Sequence, residues 1–156
     1  MMKTQIQSRY QSGLVTVEFA LIGAFFFLIL FSIIEFGRLL FTWNTLDEVT
    51  RRAARLAAVC PISEQATVIN RAIFNGNVIS GLSSANLRVE YLDNAFNTTA
   101  TLEQVRYVRT QVQNYQHQLL IPFLPSSLMT APGFTTTLPS ESLGTSPAGS
   151  WSITCL

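Results

Sequence analysis

Glu18 is the residue whose position in this sequence first raises a chemical question. It stands four residues after Leu14, where an apolar run of Phe, Leu, Ile, Val and Ala begins that continues to residue 34 with few exceptions. A charged side chain at the centre of a bilayer costs about 2.5–3.5 kcal/mol, and an acid inside a span indicates a functional site with a partner. Near one end of a span this cost falls, because the side chain reaches the interface and the first turn of a helix favours a carboxylate. Glu18 is therefore either a tolerated interfacial acid or one half of an ion pair.

The ion-pair interpretation needs a cation, and cleavage of the chain would create one. A cut between Gly13 and Leu14 gives Leu14 a free α-amine, which then lies one helical turn from Glu18. The carboxylate would pair with that amine, or with the amine of a neighbouring subunit in a helical bundle. If the chain is cut there, Gly13 and Leu14 flank the processing site; an uncut chain in which Glu18 reaches the interface stays the alternative.

Residues 14–36 are expected to form a transmembrane helix. Of the 156 residues, 48% are apolar and only 12% are charged, whereas about a quarter are charged in a typical soluble domain. A span needs roughly 20 apolar residues, and this segment supplies them. Glu35 lies about 32 Å beyond Leu14 along a helix, which places it at the opposite interface. Arg38 follows at i+3 and is predicted to form an interfacial ion pair with Glu35.

The helical pattern continues beyond the span as an amphipathic segment, residues 37–59. Apolar residues recur every three or four positions, a spacing that defines one helical face, at Leu39, Trp43, Leu46, Val49, Ala53, Leu56 and Cys60. No proline interrupts the chain before Pro61, which ends the pattern. We therefore expect one continuous helix, first in lipid and then packed on a domain.

Residues 60–156 have the composition of one small domain. Residues 63–76 favour a short helix, with Ser63 as its N-cap and Gly76 as its stop. The alternation of apolar and polar residues predicts a strand within residues 86–92 and a longer one within residues 102–119. Residues 134–138 are expected to form a third strand, and residues 151–156 a last short one. The predicted fold class is α+β: one long N-terminal helix, transmembrane then amphipathic, carrying a short helix and an antiparallel sheet.

The two cysteines, Cys60 and Cys155, lie at opposite ends of this domain. A disulfide between them would close a loop of about 95 residues and contribute up to roughly 4.7 kcal/mol in the chain-entropy model. Such bonds persist in the periplasm and not in the cytosol. Two free thiols are the alternative, and a domain outside the cytoplasm favours the bond.

The residue types that usually carry catalysis are sparse. His117 is the only histidine, so an ordinary zinc site is not expected, and no G-x-S-x-G or glycine-rich phosphate loop occurs. We expect His117 to face solvent on a strand, and we expect no metal, no cofactor and no enzymatic activity. The net charge of +1, without a long basic run, argues against nucleic-acid binding. We interpret Arg51, Arg52 and Arg55 as a solvated helix face.

Two motifs together resemble a known family. The stretch Gly13-Leu14-Val15-Thr16-Val17-Glu18-Phe19 resembles the processing site of pseudopilins of the Tad (tight adherence) system, within the type IV pilus superfamily. The later stretch IIEFGRLLFTWNTLDEVTRRAARLAA resembles the TadE-like signature, and the resemblance covers residues 9–58. TadF-like proteins share the processing motif, so the choice between these two siblings stays open.

The resemblance implies that a prepilin peptidase, an aspartic protease of the inner membrane, cuts between Gly13 and Leu14. Residues 1–13, the basic leader, would remain in the cytoplasm. Glu18, as the fifth residue of the mature protein, and the adjacent Phe19 would serve subunit registration during assembly. Basic residues lie on both sides of the span, so the positive-inside count does not choose the orientation.

The resemblance further implies a minor pilin or pseudopilin needed for assembly of a Tad/Flp-type pilus, which serves adhesion. Its partners would be the prepilin peptidase, other pilins or pseudopilins and the inner-membrane assembly platform. The chain would cross the inner membrane once, with residues 60–156 in the periplasm. The alternative is an uncleaved single-pass inner-membrane protein with a periplasmic binding domain.

Overall fold

The computed structural model describes residues 11–120, 129–145 and 155. Two helices and three strands make up its regular structure: α1 (Gln11–Val59), α2 (Gln65–Ala72), β1 (Leu87–Leu92), β2 (Tyr107–Val112) and β3 (Thr135–Pro139). Short 3-10 turns connect them at Ile62–Glu64, Phe74–Gly76, Ser84–Asn86 and Leu102–Gln104. The predicted α+β fold with a long apolar N-terminal helix is confirmed. The chain divides into two compact units, one up to Arg38 and the other from Leu39 onward.

The second unit includes the C-terminal part of α1, which buries one face in the domain core. The predicted apolar stripe is buried at Leu39, Leu46, Val49, Ala53 and Cys60, and half-buried at Trp43 and Leu56. The buried face is wider than the stripe, because it also includes Thr42, Thr50, Ala54, Ala57 and Ala58. Arg51, Arg52 and Arg55 are exposed, as expected of a solvated face.

The sheet is antiparallel with the order β1-β2-β3. Its register pairs Val89 with Thr110, and Thr110 with Thr136. Alternate residues of β1 and β2 therefore face the core, and these are Leu87, Val89, Tyr91, Val108, Thr110 and Val112. This inward-facing row is the alternation predicted from the sequence.

Three threonine side chains join α1 to the sheet inside the core. The Thr110 hydroxyl donates to the Thr50 carbonyl oxygen at 2.8 Å. The Thr50 and Thr136 hydroxyl oxygens lie 2.9 Å apart and share a hydrogen bond. Thr50 and Thr110 are fully buried, so these bonds fix the position of the helix on the sheet with little competition from water.

The C-terminal end of α1 is capped by the segment that follows β3. Backbone N–H groups of Glu141 and Gly144 donate to the carbonyl oxygens of Ala58 and Val59, at 3.0 and 2.6 Å. Gly144 has φ +79°, and a Cβ at this position would clash with the Pro61 ring. The close approach of these two segments therefore requires glycine.

A disulfide closes the same region. It joins Cys60, directly after α1, to Cys155, with their Cα atoms 5.8 Å apart. The backbone N–H of Cys155 also donates to a carboxylate oxygen of Glu64 at 2.8 Å. The end of the helix is thus tied to a residue 95 positions further along the sequence.

The predicted strand at residues 102–119 is only partly right. It begins as a 3-10 turn, continues as β2, and ends near Asn114, which has φ +54° and breaks the extended backbone. The prediction that His117 faces solvent is wrong, because only 2% of this residue is exposed. Its backbone N–H donates to the Met129 carbonyl oxygen at 3.0 Å, and the adjoining bridge of Gln116 with Thr130 folds the segment into the domain.

Two further predictions concern element ends. α2 begins at Gln65, since Ser63 belongs to the preceding 3-10 turn, and Gly76 ends a 3-10 turn rather than α2. The strand predicted at residues 151–156 lies outside the described residues, apart from Cys155.

Candidate functional site

The first unit presents apolar side chains on all sides of α1. Within the described residues, one helix is long and apolar enough to cross a membrane, with a mean hydropathy of 2.6 over its most apolar window. None of that window is buried. Leu14 is 72% exposed and Phe19 is 76% exposed. A helix that is apolar on every face requires an apolar environment, which a bilayer or other apolar helices provide.

The predicted processing site lies in the first described turn of α1. Gly13 is exposed, and a Cβ at this position would meet no other atom within 4 Å. Glycine weakens a helix by about 1 kcal/mol relative to alanine. The helix around the Gly13–Leu14 bond therefore unwinds at a lower cost than it would with alanine at position 13.

Glu18 lies one turn further along the same helix and is exposed. Among the residues that the structure describes, none forms an ion pair with its carboxylate. A carboxylate at this depth therefore needs a cation from another source if it stays in lipid. The new α-amine predicted for Leu14, in the same chain or in a neighbouring one, is such a source.

Glu35 and Arg38 form the ion pair predicted from their i, i+3 spacing. Arg38 Nη1 donates to both carboxylate oxygens of Glu35, at 3.0 and 3.2 Å. Glu35 is only 7% exposed, whereas the Arg38 side chain is 37% exposed. The guanidinium thus satisfies the acid and still reaches solvent.

The exposed apolar surface continues past the predicted span, which ends at Phe36, and the exposure of Leu40 and Phe41 was not predicted from the sequence. Phe36 is 60% exposed, Leu40 is 41% exposed and Phe41 is 59% exposed. The predicted span ends at residue 36, and the interpretation of the following residues rests on their single buried stripe. The run Leu39-Leu40-Phe41 carries the missing signal, since three adjacent apolar residues cannot all lie on one helical face.

Metal-ligating side chains do not cluster in the described part of the chain. No group of three or more His, Cys, Asp or Glu side chains there lies close enough to hold a metal ion. An open hollow of about 390 Å³ does occur beside β1. Its walls are Arg88–Tyr91 and Thr98–Ala100.

A long apolar helix whose second half packs into a small α+β domain is the architecture of a helix-anchored membrane protein. Residues 13–55 match the family model described as TadE-like protein. The TadE-like resemblance seen in the motifs is thereby confirmed, and it relates this chain to the Tad pilus system. The match begins at Gly13 and includes Glu18, Glu35 and Arg38. No curated protein and no solved structure matches the chain.

Proposed function

We propose that this protein is a minor pilin or pseudopilin needed for assembly of a Tad/Flp-type pilus, which serves adhesion. The observation that carries the proposal is the TadE-like match over residues 13–55, which covers the apolar part of α1. The side chains of that part are exposed, so they are free to pack against the helices of other subunits. In this proposal the function is assembly, without catalysis, cofactor or nucleic acid.

Processing is the first step of the proposed mechanism. A prepilin peptidase cuts between Gly13 and Leu14, and residues 1–13 stay in the cytoplasm. Glycine at position 13 lowers the cost of unwinding the helix beside the Gly13–Leu14 bond, which supports cleavage there.

Registration is the second step. The amine of Leu14 neutralises Glu18, either within one subunit or between neighbouring subunits, and Phe19 packs beside the pair. An ion pair inside the bilayer relieves most of the cost of the isolated carboxylate. Where the amine belongs to a neighbouring subunit, a subunit placed one turn too high or too low leaves the carboxylate without its partner, so the pair between subunits selects one register along the bundle.

The proposed orientation puts the N-terminus in the cytoplasm and the second unit in the periplasm. The disulfide between Cys60 and Cys155 supports it, since such bonds form and persist in an oxidising compartment. Other pilins or pseudopilins and the inner-membrane assembly platform are the proposed partners.

The test is the mass of the mature N-terminus. We expect protein from cells with an active prepilin peptidase to begin at Leu14, and protein from cells without the peptidase to keep residues 1–13. Gly13→Leu should block cleavage because a large side chain then occupies the position before the cut. Gly23→Leu is the matched control, since a Cβ at either glycine meets no atom within 4 Å, and it should be processed normally. A leader retained in the wild-type chain would contradict the proposal.

The alternative function is an uncleaved single-pass membrane protein with a periplasmic binding domain. The hollow of about 390 Å³ beside β1 favours it, because this volume falls in the range of small-molecule sites. The same mass measurement separates the two functions. A retained leader, together with saturable binding of a small molecule in the hollow beside Arg88, would support the alternative.

A further inference from the structure

The exposed apolar surface of α1 does not stop at the Glu35–Arg38 ion pair. Three more exposed apolar residues follow Glu35, and we call them the collar: Phe36, Leu40 and Phe41. The exposed apolar surface then ends, because the next large apolar residue that is exposed in the described part of the chain is Val78. Asn44, one turn after Leu40 on the same side of the helix, is exposed and polar.

The length of this surface identifies its surroundings. From Leu14 to Phe41 the helix rises about 40 Å at 1.5 Å per residue. The hydrocarbon core of a bilayer is about 30 Å thick, and the bilayer with its headgroup layers is about 40–45 Å thick. The exposed apolar surface is therefore too long for the hydrocarbon core alone, and it matches the whole bilayer.

The ion pair along the same stretch fits the boundary between the hydrocarbon core and the headgroup layer. If Leu14 to Phe41 spans the whole bilayer, the core ends about 35–37 Å from Leu14. Arg38, at about 36 Å, then lies at this boundary, and Glu35, at about 32 Å, lies just inside it beside its partner. The exposed part of the Arg38 side chain is available to a phosphate, and guanidinium groups bind phosphate oxygens through several N–H donors. Aromatic side chains are also enriched where a helix leaves the hydrocarbon.

The breadth of the collar favours lipid over a second helix. Phe36 and Leu40 lie on one side of α1, and Phe41 lies further round, so that the three cover about 140° of the circumference. A single helix–helix seam is narrower than this, whereas fluid lipid contacts every exposed direction.

We propose that the collar and Arg38 form a docking surface for the headgroup layer of the outer leaflet, with Arg38 bound to phospholipid phosphate. The membrane surface then lies between Phe41 and Asn44. This inference rests on the membrane span in the proposed function and not on cleavage after Gly13. It holds for the processed and the unprocessed chain alike. A result that contradicts the docking surface therefore leaves cleavage after Gly13 untouched, and a retained leader leaves the docking surface untouched.

Spin-label depth measurements on the full chain test the proposal. Single cysteines replace Leu40 or Phe41, with Phe27→Cys as a control for the hydrocarbon core and Asn44→Cys as a control for water. Cys60 and Cys155 are joined to each other, so only the new thiol takes the label. The protein is placed in nanodiscs of phosphatidylethanolamine and phosphatidylglycerol, one copy per disc, and collision rates with oxygen and with a water-soluble nickel chelate are compared.

We expect the label at Leu40 and Phe41 to report the depth of the lipid phosphates. Nickel accessibility should be several-fold lower there than at Asn44 and several-fold higher than at Phe27. Three results would overturn the proposal. The first is nickel accessibility equal to that at Asn44, and the second is a depth equal to that at Phe27. The third is protection from both reagents, which would mean that protein covers the collar.

A second measurement tests the phosphate contact of Arg38. Arg38→Gln should move the label at Phe41 toward water. Arg55→Gln changes an exposed arginine about three turns beyond the proposed membrane surface, and it should leave the label unchanged. An unchanged depth in Arg38→Gln would remove Arg38 from the docking surface.

Discussion

At the scale of single residues, the feature that most needs a functional explanation is a carboxylate in an apolar helix. Two acids lie along the apolar part of α1, and they differ in what surrounds them. Glu35 is buried and bound to Arg38, so its charge is already compensated. Glu18 is exposed, and no described residue forms an ion pair with it. Only Glu18 therefore has its charge left for another group to neutralise.

Replacing Glu18 should separate membrane insertion from assembly. Glu18→Ala removes a charge from the apolar run, so insertion should be at least as efficient as in the wild type. It also removes the proposed partner of the Leu14 amine, and we expect pilus assembly to fall by at least about tenfold, the change that corresponds to 1.4 kcal/mol. Piliation is counted by microscopy, and insertion is measured by carbonate extraction.

Glu48→Ala is the control for the Glu18 variant. Glu48 is an exposed acid on the same helix, but it lies beyond the apolar surface. Cells with this variant should form pili normally. Normal piliation in Glu18→Ala as well would remove the registration role from Glu18 while leaving the processing site untouched.

At the scale of elements, α1 and the sheet are held in place by buried hydroxyl groups as well as by apolar packing. Thr110 donates to a helix carbonyl oxygen and also lies 3.4 Å from the Thr136 carbonyl oxygen. A buried hydrogen bond contributes about 1 kcal/mol net. These bonds have a fixed direction, so they select one position of the helix on the sheet where apolar contacts alone would allow sliding.

Thr110→Val should therefore destabilise the domain by about 1 kcal/mol. Valine keeps the shape and the strand preference of threonine, so the loss of the hydroxyl is the main change. Urea unfolding of the full chain in detergent micelles, followed by tryptophan fluorescence, measures the free energy of unfolding. Thr137→Val on the exposed side of β3 is the control and should change it by less than about 0.5 kcal/mol. Equal stability of the two variants would show that the buried bond contributes nothing.

Local sequence patterns were enough to predict most helices and strands. The predictions that were wrong depend on contacts between distant segments of the chain. The spacing of apolar residues and the position of Pro61 predicted where α1 ends, alternation predicted β1, and the segment 134–138 was correctly expected to form the strand that is β3. The burial of His117 could not be predicted, because it depends on the bond to Met129 and on the bridge after Asn114. Such pairings join distant residues, and the sequence around either residue does not indicate its partner.

The candidate site shows the same division. The prediction for Gly13, Leu14 and Glu18 rests on the spacing of a local motif, and their roles stay a prediction. Leu40 and Phe41 were missed because exposure depends on which side of α1 the domain covers, and the interpretation followed only the buried stripe. The run Leu39-Leu40-Phe41 is the one sequence signal for them, since three adjacent apolar residues cannot all lie on one helical face.

At the scale of the whole molecule, the disulfide links the stability of the second unit to the compartment in which it folds. Cys60 and Cys155 enclose nearly all of the chain after α1. In the chain-entropy model, closing a loop of this size stabilises the fold by up to about 4.7 kcal/mol. Typical small domains have only about 5–15 kcal/mol of stability in total. Loss of this bond would thus remove a large part of what keeps the domain folded.

The double variant Cys60→Ser/Cys155→Ser should accordingly unfold at a much lower urea concentration than the wild type, with a loss of about 2–5 kcal/mol. A reducing agent should lower the stability of the wild type to that of the variant and leave the variant unchanged, which controls for the serine substitutions themselves. In cells, thiol alkylation followed by mass measurement reports the redox state directly. Because only an oxidising compartment maintains this bond, we expect both thiols to be blocked in the protein isolated from the membrane fraction. Two free thiols in that protein would place the domain on the reducing side of the membrane, and the proposed periplasmic location would then be wrong even if the purified domain forms the disulfide in air.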